Sequence, residues 1–102
     1  MKRRNRLSRS RDFDAVYRKG RSVSTRYLTL YWFERARDEA DDEVRVGLAV
    51  SRKVGGAVQR NRLKRRLRAV FDELLPTLPD GRDYVAIARQ GLGEAAEAND
   101  HE

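Results

Sequence analysis

The side chains best suited to chemistry lie between residues 52 and 68, a segment with eight Lys or Arg residues and no acid. Soluble helices usually mix charge signs and gain i,i+4 ion pairs, so a segment this one-sided indicates an anionic partner. Arginine outnumbers lysine here, and its planar guanidinium suits phosphate contact and stacking on bases. The side chains that we expect to contact a nucleic acid are Arg52, Lys53, Arg60, Asn61, Arg62, Lys64, Arg65 and Arg68.

A helix must carry most of these side chains. The apolar period predicts a helix from Ala57 to Leu75, ended by Pro76. Its apolar stripe would consist of Leu63, Leu67, Val70, Phe71 and Leu74. The first turns are cationic although a helix dipole favours anions there, and a bound phosphate would relieve that cost. Gly55 and Gly56, just before the helix, would let a ligand backbone approach closely.

No set of residues indicates catalysis by the protein itself. The chain has no cysteine, and its one histidine, His101, lies in a polar terminal segment. Serines without a histidine partner form no hydrolytic triad. Asp12 and Asp14 point apart on a helix, which favours a role as helix N-terminal charges over metal binding. The acidic stretch 36–43 is read as a solvated loop, and we expect no tightly bound metal.

The other elements give an α+β class. A first helix would start near Ser8 or Ser10 as N-cap and stop at Gly20. Tyr27 to Phe33 and Val44 to Val50 read as strands that form a hairpin with a long turn. Further strands are predicted at 84–88, with Val85 and Ile87 inward, and at 21–24. On the first long strand Tyr27, Thr29, Tyr31 and Phe33 would share one face, opposite Leu28, Leu30 and Trp32.

The whole chain of 102 residues fits one domain, and its net charge of +7 indicates a polyanionic partner, with nucleic acid favoured over an anionic membrane. Residues 1–7 would be a basic arm, and residues 91–102, with four acids and no Lys or Arg, a short or unfolded acidic tail. No apolar run approaches the roughly 20 residues of a membrane span. We therefore expect a cytoplasmic protein without a membrane partner.

The basic segment resembles a known family. Val50-Ser51-Arg52-Lys53-Val54-Gly55, followed by Arg60-Asn61-Arg62, Lys64-Arg65 and Arg68, resembles the signature box of the bacterial ribonuclease P protein subunit. Asp12-Phe13, Val16-Tyr17 and Gly20-Arg21-Ser22 resemble its first helix and the following turn. Gly81, Asp83, Val85 and Ala88-Arg89 resemble its last strand. The match extends over roughly residues 6 to 91.

The resemblance implies a compact α-β-β-β-α-β-(α) sandwich, similar to domain 2 of ribosomal protein S5, with a left-handed β-α-β crossover. It implies that the box helix binds the catalytic RNA subunit. It also implies a cleft between the first helix and the sheet that holds the single-stranded 5′ leader of precursor tRNA. Phe13, Tyr17 and Tyr31 would line that cleft, and their aromatic rings could stack on unpaired bases.

The same resemblance implies a role in an enzyme. The holoenzyme would release the 5′ leader of tRNA by endonucleolytic hydrolysis, with the RNA as catalyst and Mg²⁺ held mainly by RNA. No protein partner would be required. Two departures stand out: Ala69 replaces an acidic residue that is common after Arg68, and the basic amphipathic helix that usually ends the family is replaced by a short acidic segment.

Other interpretations remain open at this point. A non-catalytic, ribosome-associated RNA-binding protein would use the same basic helix. A membrane-surface protein would need a larger apolar face than the box helix can spare from its core. Phe13, Tyr17 and Tyr31 could also be ordinary core residues.

Overall fold

A computed structural model describes residues 1–35, 42–89 and 91–92. The regular elements, in chain order, are α1 (Ser10–Lys19), β1 (Arg21–Ser24), β2 (Leu28–Glu34), β3 (Arg45–Val50), α2 (Ala57–Leu74) and β4 (Arg82–Ala88). Short 3₁₀ turns occupy Arg3–Asn5, Arg52–Val54 and Leu75–Thr77. The predicted α+β class is confirmed, and in the described residues the elements follow one another as α-β-β-β-α-β.

The four strands form one sheet in the order β1-β2-β4-β3. β4 runs antiparallel to β2 and parallel to β3, so the predicted hairpin of β2 and β3 is wrong. β4 takes the place between them because both of its faces are largely apolar and buried, as a central strand requires. β3, α2 and β4 thus form a crossover that joins parallel neighbours; its left-handedness stays a prediction.

The sheet is covered by one helix on each face. On one face, Val16 of α1 packs with Leu7 and Val85. On the other face, Phe71 of α2 packs with Val46 and Tyr84. β2 contributes to both cores, as its alternation predicted: Leu30 and Trp32 face α2, whereas Tyr31 and Phe33 face α1. The sequence around β2 therefore assigned its two faces correctly.

The apolar stripe of α2 is narrower than its period predicted. Leu63 and Phe71 are buried and Leu67 is half-buried, whereas Val70 is 51% exposed and Leu74 41%. Val70 lies at the edge of the stripe, and Leu74 is the last helical residue, beside the turn Leu75–Thr77. A helix on a sheet contacts it along one strip, so residues at the sides and end of the stripe lose that contact.

The predicted N-cap of α1 is wrong, whereas its predicted end at Gly20 is confirmed. Neither predicted serine is the N-cap, because Arg9 takes that position without a side-chain cap and Ser10 is already helical. Gly20 does end the helix, with extended backbone. A Cβ at Gly20 would meet the backbone carbonyl oxygens of Val16 and Trp32, so close packing of α1 on β2 requires a glycine there.

The predicted basic arm, residues 1–7, lies along the outer edge of β3. The Leu7 N–H donates to the Val46 carbonyl oxygen at 2.9 Å, and Arg6 forms a parallel bridge with Val46. Leu7 and Asn5 are buried, and Asn5 Nδ2 donates to the Val44 carbonyl oxygen at 2.8 Å. The segment therefore extends the sheet by a short pairing. Of the predicted acidic tail, 93–102 lies outside the described residues.

Tyr84 carries a polar group into the larger core. Its side chain is buried between α2 and the sheet, and its hydroxyl has no hydrogen-bond partner among the described residues. An unsatisfied buried hydroxyl costs about 1–3 kcal/mol, so we expect Tyr84→Phe to raise the free energy of unfolding by about 1 kcal/mol. Urea denaturation of the two proteins measures the difference. A loss of 1 kcal/mol or more would mean that the hydroxyl does bind a partner.

Candidate nucleic-acid interface

The basic helix begins at a turn built from short local bonds. Ser51 Oγ accepts the Lys53 N–H at 3.1 Å, which holds the 3₁₀ turn Arg52–Val54. The Gln59 side chain accepts the Gly56 N–H at 2.8 Å and so caps the start of α2. A Cβ on Gly55 would meet the Gln59 amide, which makes glycine the residue that fits. A neutral amide therefore caps this helix, and its first turn contains no acid.

The predicted contact residues lie on α2 and the turn before it. Arg52, Lys53, Asn61, Arg62 and Arg65 are exposed, whereas Arg60, Lys64 and Arg68 are half-buried. The Nε of Arg60 is buried without a hydrogen-bond partner among the described residues. The structure thus places all eight side chains on one helix and its entry turn. Their contact with RNA stays a prediction.

The structure also joins two basic segments that are distant in sequence. A groove of about 230 Å³ runs between the N-terminal segment, β3 and α2. Arg6 and Arg68 both line it, beside Ser8 and Leu48. The cations of the N-terminal segment therefore continue the basic surface of α2, although 61 residues separate the two arginines in the sequence.

The three predicted cleft residues do come together. The rings of Phe13 and Tyr17 lie 6.4 Å apart on α1, and Tyr17 meets Tyr31 edge to face at 5.2 Å and 79°. Phe13 stands directly over Gly47 of β3, where an added Cβ would lie 2.5 Å from Cζ of the ring. Gly47 on this face of β3 therefore leaves room for the rings of Phe13 and Tyr17, which we call the aromatic wall.

The three rings differ in how deeply they are buried in the hydrophobic core. Phe13 and Tyr31 are half-buried and pack against the cluster of Leu7, Val16 and Val85. Tyr17 is 40% exposed although it is aromatic. Phe13 and Tyr31 thus have the core role that the alternative interpretation gave them, and Tyr17 presents the most open ring of the three.

A row of three half-buried sheet residues lies beside these rings, and we call this row the floor. Ala49 pairs with Ile87 and Ile87 with Thr29, so the three lie side by side across the sheet. All three are half-buried, and the Thr29 hydroxyl lies 3.1 Å from that of Ser24. Sequence reasoning did not single out Ile87 or Ala49 as cleft residues. Their alternation placed them on this face, but only the strand order brings them beside Tyr31.

The surroundings of Tyr17 favour a neutral phenol at this position. Burial raises the pKa of Tyr17 above its ordinary value, and the nearby Tyr31 and Asp14 raise this pKa further. The group therefore stays protonated at neutral pH. A protonated phenol can donate a hydrogen bond and stack on a base without repelling phosphate.

Three further findings concern metals, histidine and membranes. Among the described residues, no group of three or more His, Cys, Asp or Glu side chains is placed to hold a metal ion. Of the acidic loop, Asp38 and Asp41 lie outside the described residues, as does His101; the Asp42 carbonyl oxygen accepts the Gly81 N–H at 2.8 Å. No helix in the described part of the chain is long and apolar enough to cross a bilayer.

Comparisons with known proteins indicate one family for this chain. The family model described as Ribonuclease P matches residues 1–101. The ribonuclease P protein component of Bacillus pumilus is 43% identical over 94 residues, which cover 92% of this chain and 76% of that protein. That of Shouchella clausii is 46% identical over 89 residues, which cover 87% and 70%.

Solved structures show the same likeness. The RNase P protein from Thermotoga maritima aligns with a TM-score of 0.76 at 35% identity, covering 90% of this chain and 80% of that one. The Staphylococcus aureus protein aligns with a TM-score of 0.77 at 33% identity, covering 88% and 79%. The resemblance predicted from the basic box is therefore confirmed, and the chain belongs to the ribonuclease P protein family.

Proposed function

We propose that this protein serves ribonuclease P by binding two RNAs at two surfaces. The basic surface of α2 and its entry turn binds the catalytic RNA subunit, and the cleft between α1 and the sheet takes the 5′ leader of precursor tRNA. The observation that supports this division is the placement of α1 and α2 on opposite faces of one sheet. Two RNAs can therefore be held at the same time.

The two surfaces suit different forms of RNA. Arginines on a helix recognise the phosphates of a folded RNA, and each neutralised phosphate releases counterions. Aromatic rings such as Tyr17 stack on bases that are unpaired, as in a single-stranded leader. The protein would thus reduce repulsion between the RNA subunit and its substrate and hold the leader in place.

Hydrolysis of the phosphodiester is assigned to the RNA subunit. This assignment follows from the sequence, in which no set of residues indicates catalysis by the protein. Mg²⁺ would be held mainly by RNA, and the protein would lower the concentration that is needed. The process would take place in the cytoplasm without a further protein partner.

The finer features of the fold belong to the same proposal. The β3–α2–β4 crossover joins parallel neighbours, as in the left-handed unit that the family resemblance implies. Likeness to domain 2 of ribosomal protein S5 would follow from that crossover and from the placement of the helices.

Reconstitution tests the proposal. This protein is added to a bacterial ribonuclease P RNA and labelled precursor tRNA at low Mg²⁺. We expect cleavage at the mature 5′ end only when protein and RNA are both present. Cleavage by the protein alone would contradict catalysis by RNA. Binding to the RNA without a gain in cleavage would favour a non-catalytic RNA-binding protein, such as one associated with the ribosome.

A further inference from the structure

Asp83 is the one buried charged residue among the positions that the structure describes, at 2% exposure. Its carboxylate accepts two hydrogen bonds from Arg45, from Nε at 2.8 Å and from Nη2 at 2.7 Å. Arg35 also donates to it. A buried carboxylate needs such charge-assisted partners, and two-pronged contact fixes the plane of the guanidinium. Arg45 is therefore held in one orientation.

That orientation points the remaining nitrogen of Arg45 at helix α1. Arg45 Nη1 lies 3.4 Å from Asp12 Oδ2, in the first turn of α1. Arg35 Nη2 in turn donates to the Glu43 carbonyl oxygen at 2.5 Å. One charged network thus links α1 to β3, to β4 and to the segment that follows β2.

The network lies on the side of α1 away from the floor. Arg45 pairs with Asp83 in neighbouring strands. The next pair on the same face, two residues along each strand, is Gly47 with Val85. Phe13 lies over Gly47. The floor residues Ala49 and Ile87 form the pair two residues further along the same strands. Ion pairs between side chains therefore hold one side of α1, and the other side forms the aromatic wall of the proposed cleft.

We propose that Asp12, Arg45 and Asp83 form a clamp that positions α1 and thereby sets the width of the cleft for an unpaired RNA strand. Asp12 and Arg45 are positioning residues, because they act through the placement of Phe13 and Tyr17. This inference rests on the proposed leader site. Sequence reasoning favoured Asp12 as a helix N-terminal charge over a metal ligand and did not pair it with Arg45, which lies 33 residues away.

The variant Asp12→Asn distinguishes the proposed positioning of α1 by Asp12 from the electrostatic effect of its negative charge on RNA binding. Removing an acid from a protein that binds RNA should by itself raise affinity, because one repulsive charge is lost. Loss of the clamp should lower affinity for the leader, so the two effects have opposite signs. Asp14→Asn is the matched control, since it removes the same charge from the exposed side of the same helix. Asp12→Glu keeps the charge and should retain wild-type behaviour.

The measurement is the affinity of the reconstituted holoenzyme for precursor tRNA with its leader, divided by its affinity for mature tRNA. A residue that couples through packing changes such a ratio modestly, so we expect Asp12→Asn to lower it about fivefold. Asp14→Asn should leave the ratio unchanged or raise it, and affinity for the RNA subunit should not fall in either variant. An unchanged or increased ratio in Asp12→Asn would overturn the inference.

Amide hydrogen exchange of the full chain gives an independent readout. Faster exchange in α1 of Asp12→Asn, with α2 unchanged and Asp14→Asn like wild type, is the expected result. Equal exchange in the two variants would show that the ion pair does not hold the helix. If the wild-type holoenzyme shows no preference for a leader, the leader site itself fails, and with it the clamp's role in binding; exchange then still decides whether the clamp holds α1.

Discussion

Replacing Arg65 by alanine is expected to weaken binding to the RNA subunit roughly ten- to hundredfold, because a charge-assisted hydrogen bond contributes about 1.5–3 kcal/mol. Arg65 is exposed on the acid-free part of α2, so its loss should leave the fold intact. If the wild-type surface contacts about six phosphates, the logarithm of the binding constant should fall with the logarithm of salt concentration at a slope near −4 to −5. Arg65→Ala should flatten that slope by about one.

Binding measured from low to moderate salt, by filter retention or fluorescence anisotropy, provides both numbers. Arg82→Ala is the control, because it removes the same charge at the start of β4, outside α2 and its entry turn. We expect Arg82→Ala to change affinity by less than Arg65→Ala at every salt concentration. A wild-type slope near zero, or equal losses in the two variants, would mean that α2 is not the RNA-binding surface.

Replacing Phe71 by alanine is expected to lower the free energy of unfolding by about 3–5 kcal/mol. Phe71 is buried between α2 and the sheet, where it packs with Val46 and Tyr84. Its removal deletes a large apolar contact and leaves a cavity that the surrounding strands can fill only in part. Since small domains are stable by about 5–15 kcal/mol, this variant should be only marginally folded.

Val70→Ala is the control for this second prediction. Val70 precedes Phe71 on the same helix but is half exposed, so we expect a change within about 0.5 kcal/mol. Urea denaturation followed by circular dichroism measures both variants. Similar losses for Val70 and Phe71 would show that the helix buries both residues, as its apolar period alone had predicted. A loss below 1 kcal/mol for Phe71 would contradict its place in the core.

The features that the sequence by itself determined depend on residues that are close along the chain. Helix α2 was predicted within one residue, because the apolar spacing of Leu63 and Phe71 and the stop at Pro76 are both local signals. The basic box was recognisable for the same reason, since its residues are contiguous and share one helix. Family membership followed from that box, and the comparisons confirmed it.

The tertiary structure alone decided which strands pair and what the pairing brings together. The period of β2 and β3 specified their faces but not their neighbours, so the predicted hairpin failed when β4 took the central position. That order aligns Ala49 and Ile87 beside Tyr31 and places Asp83 against Arg45. Helix capping and periodicity are set by local hydrogen bonds and side-chain spacing. Strand order instead depends on the summed burial of segments far apart in sequence, which no local pattern of residues records.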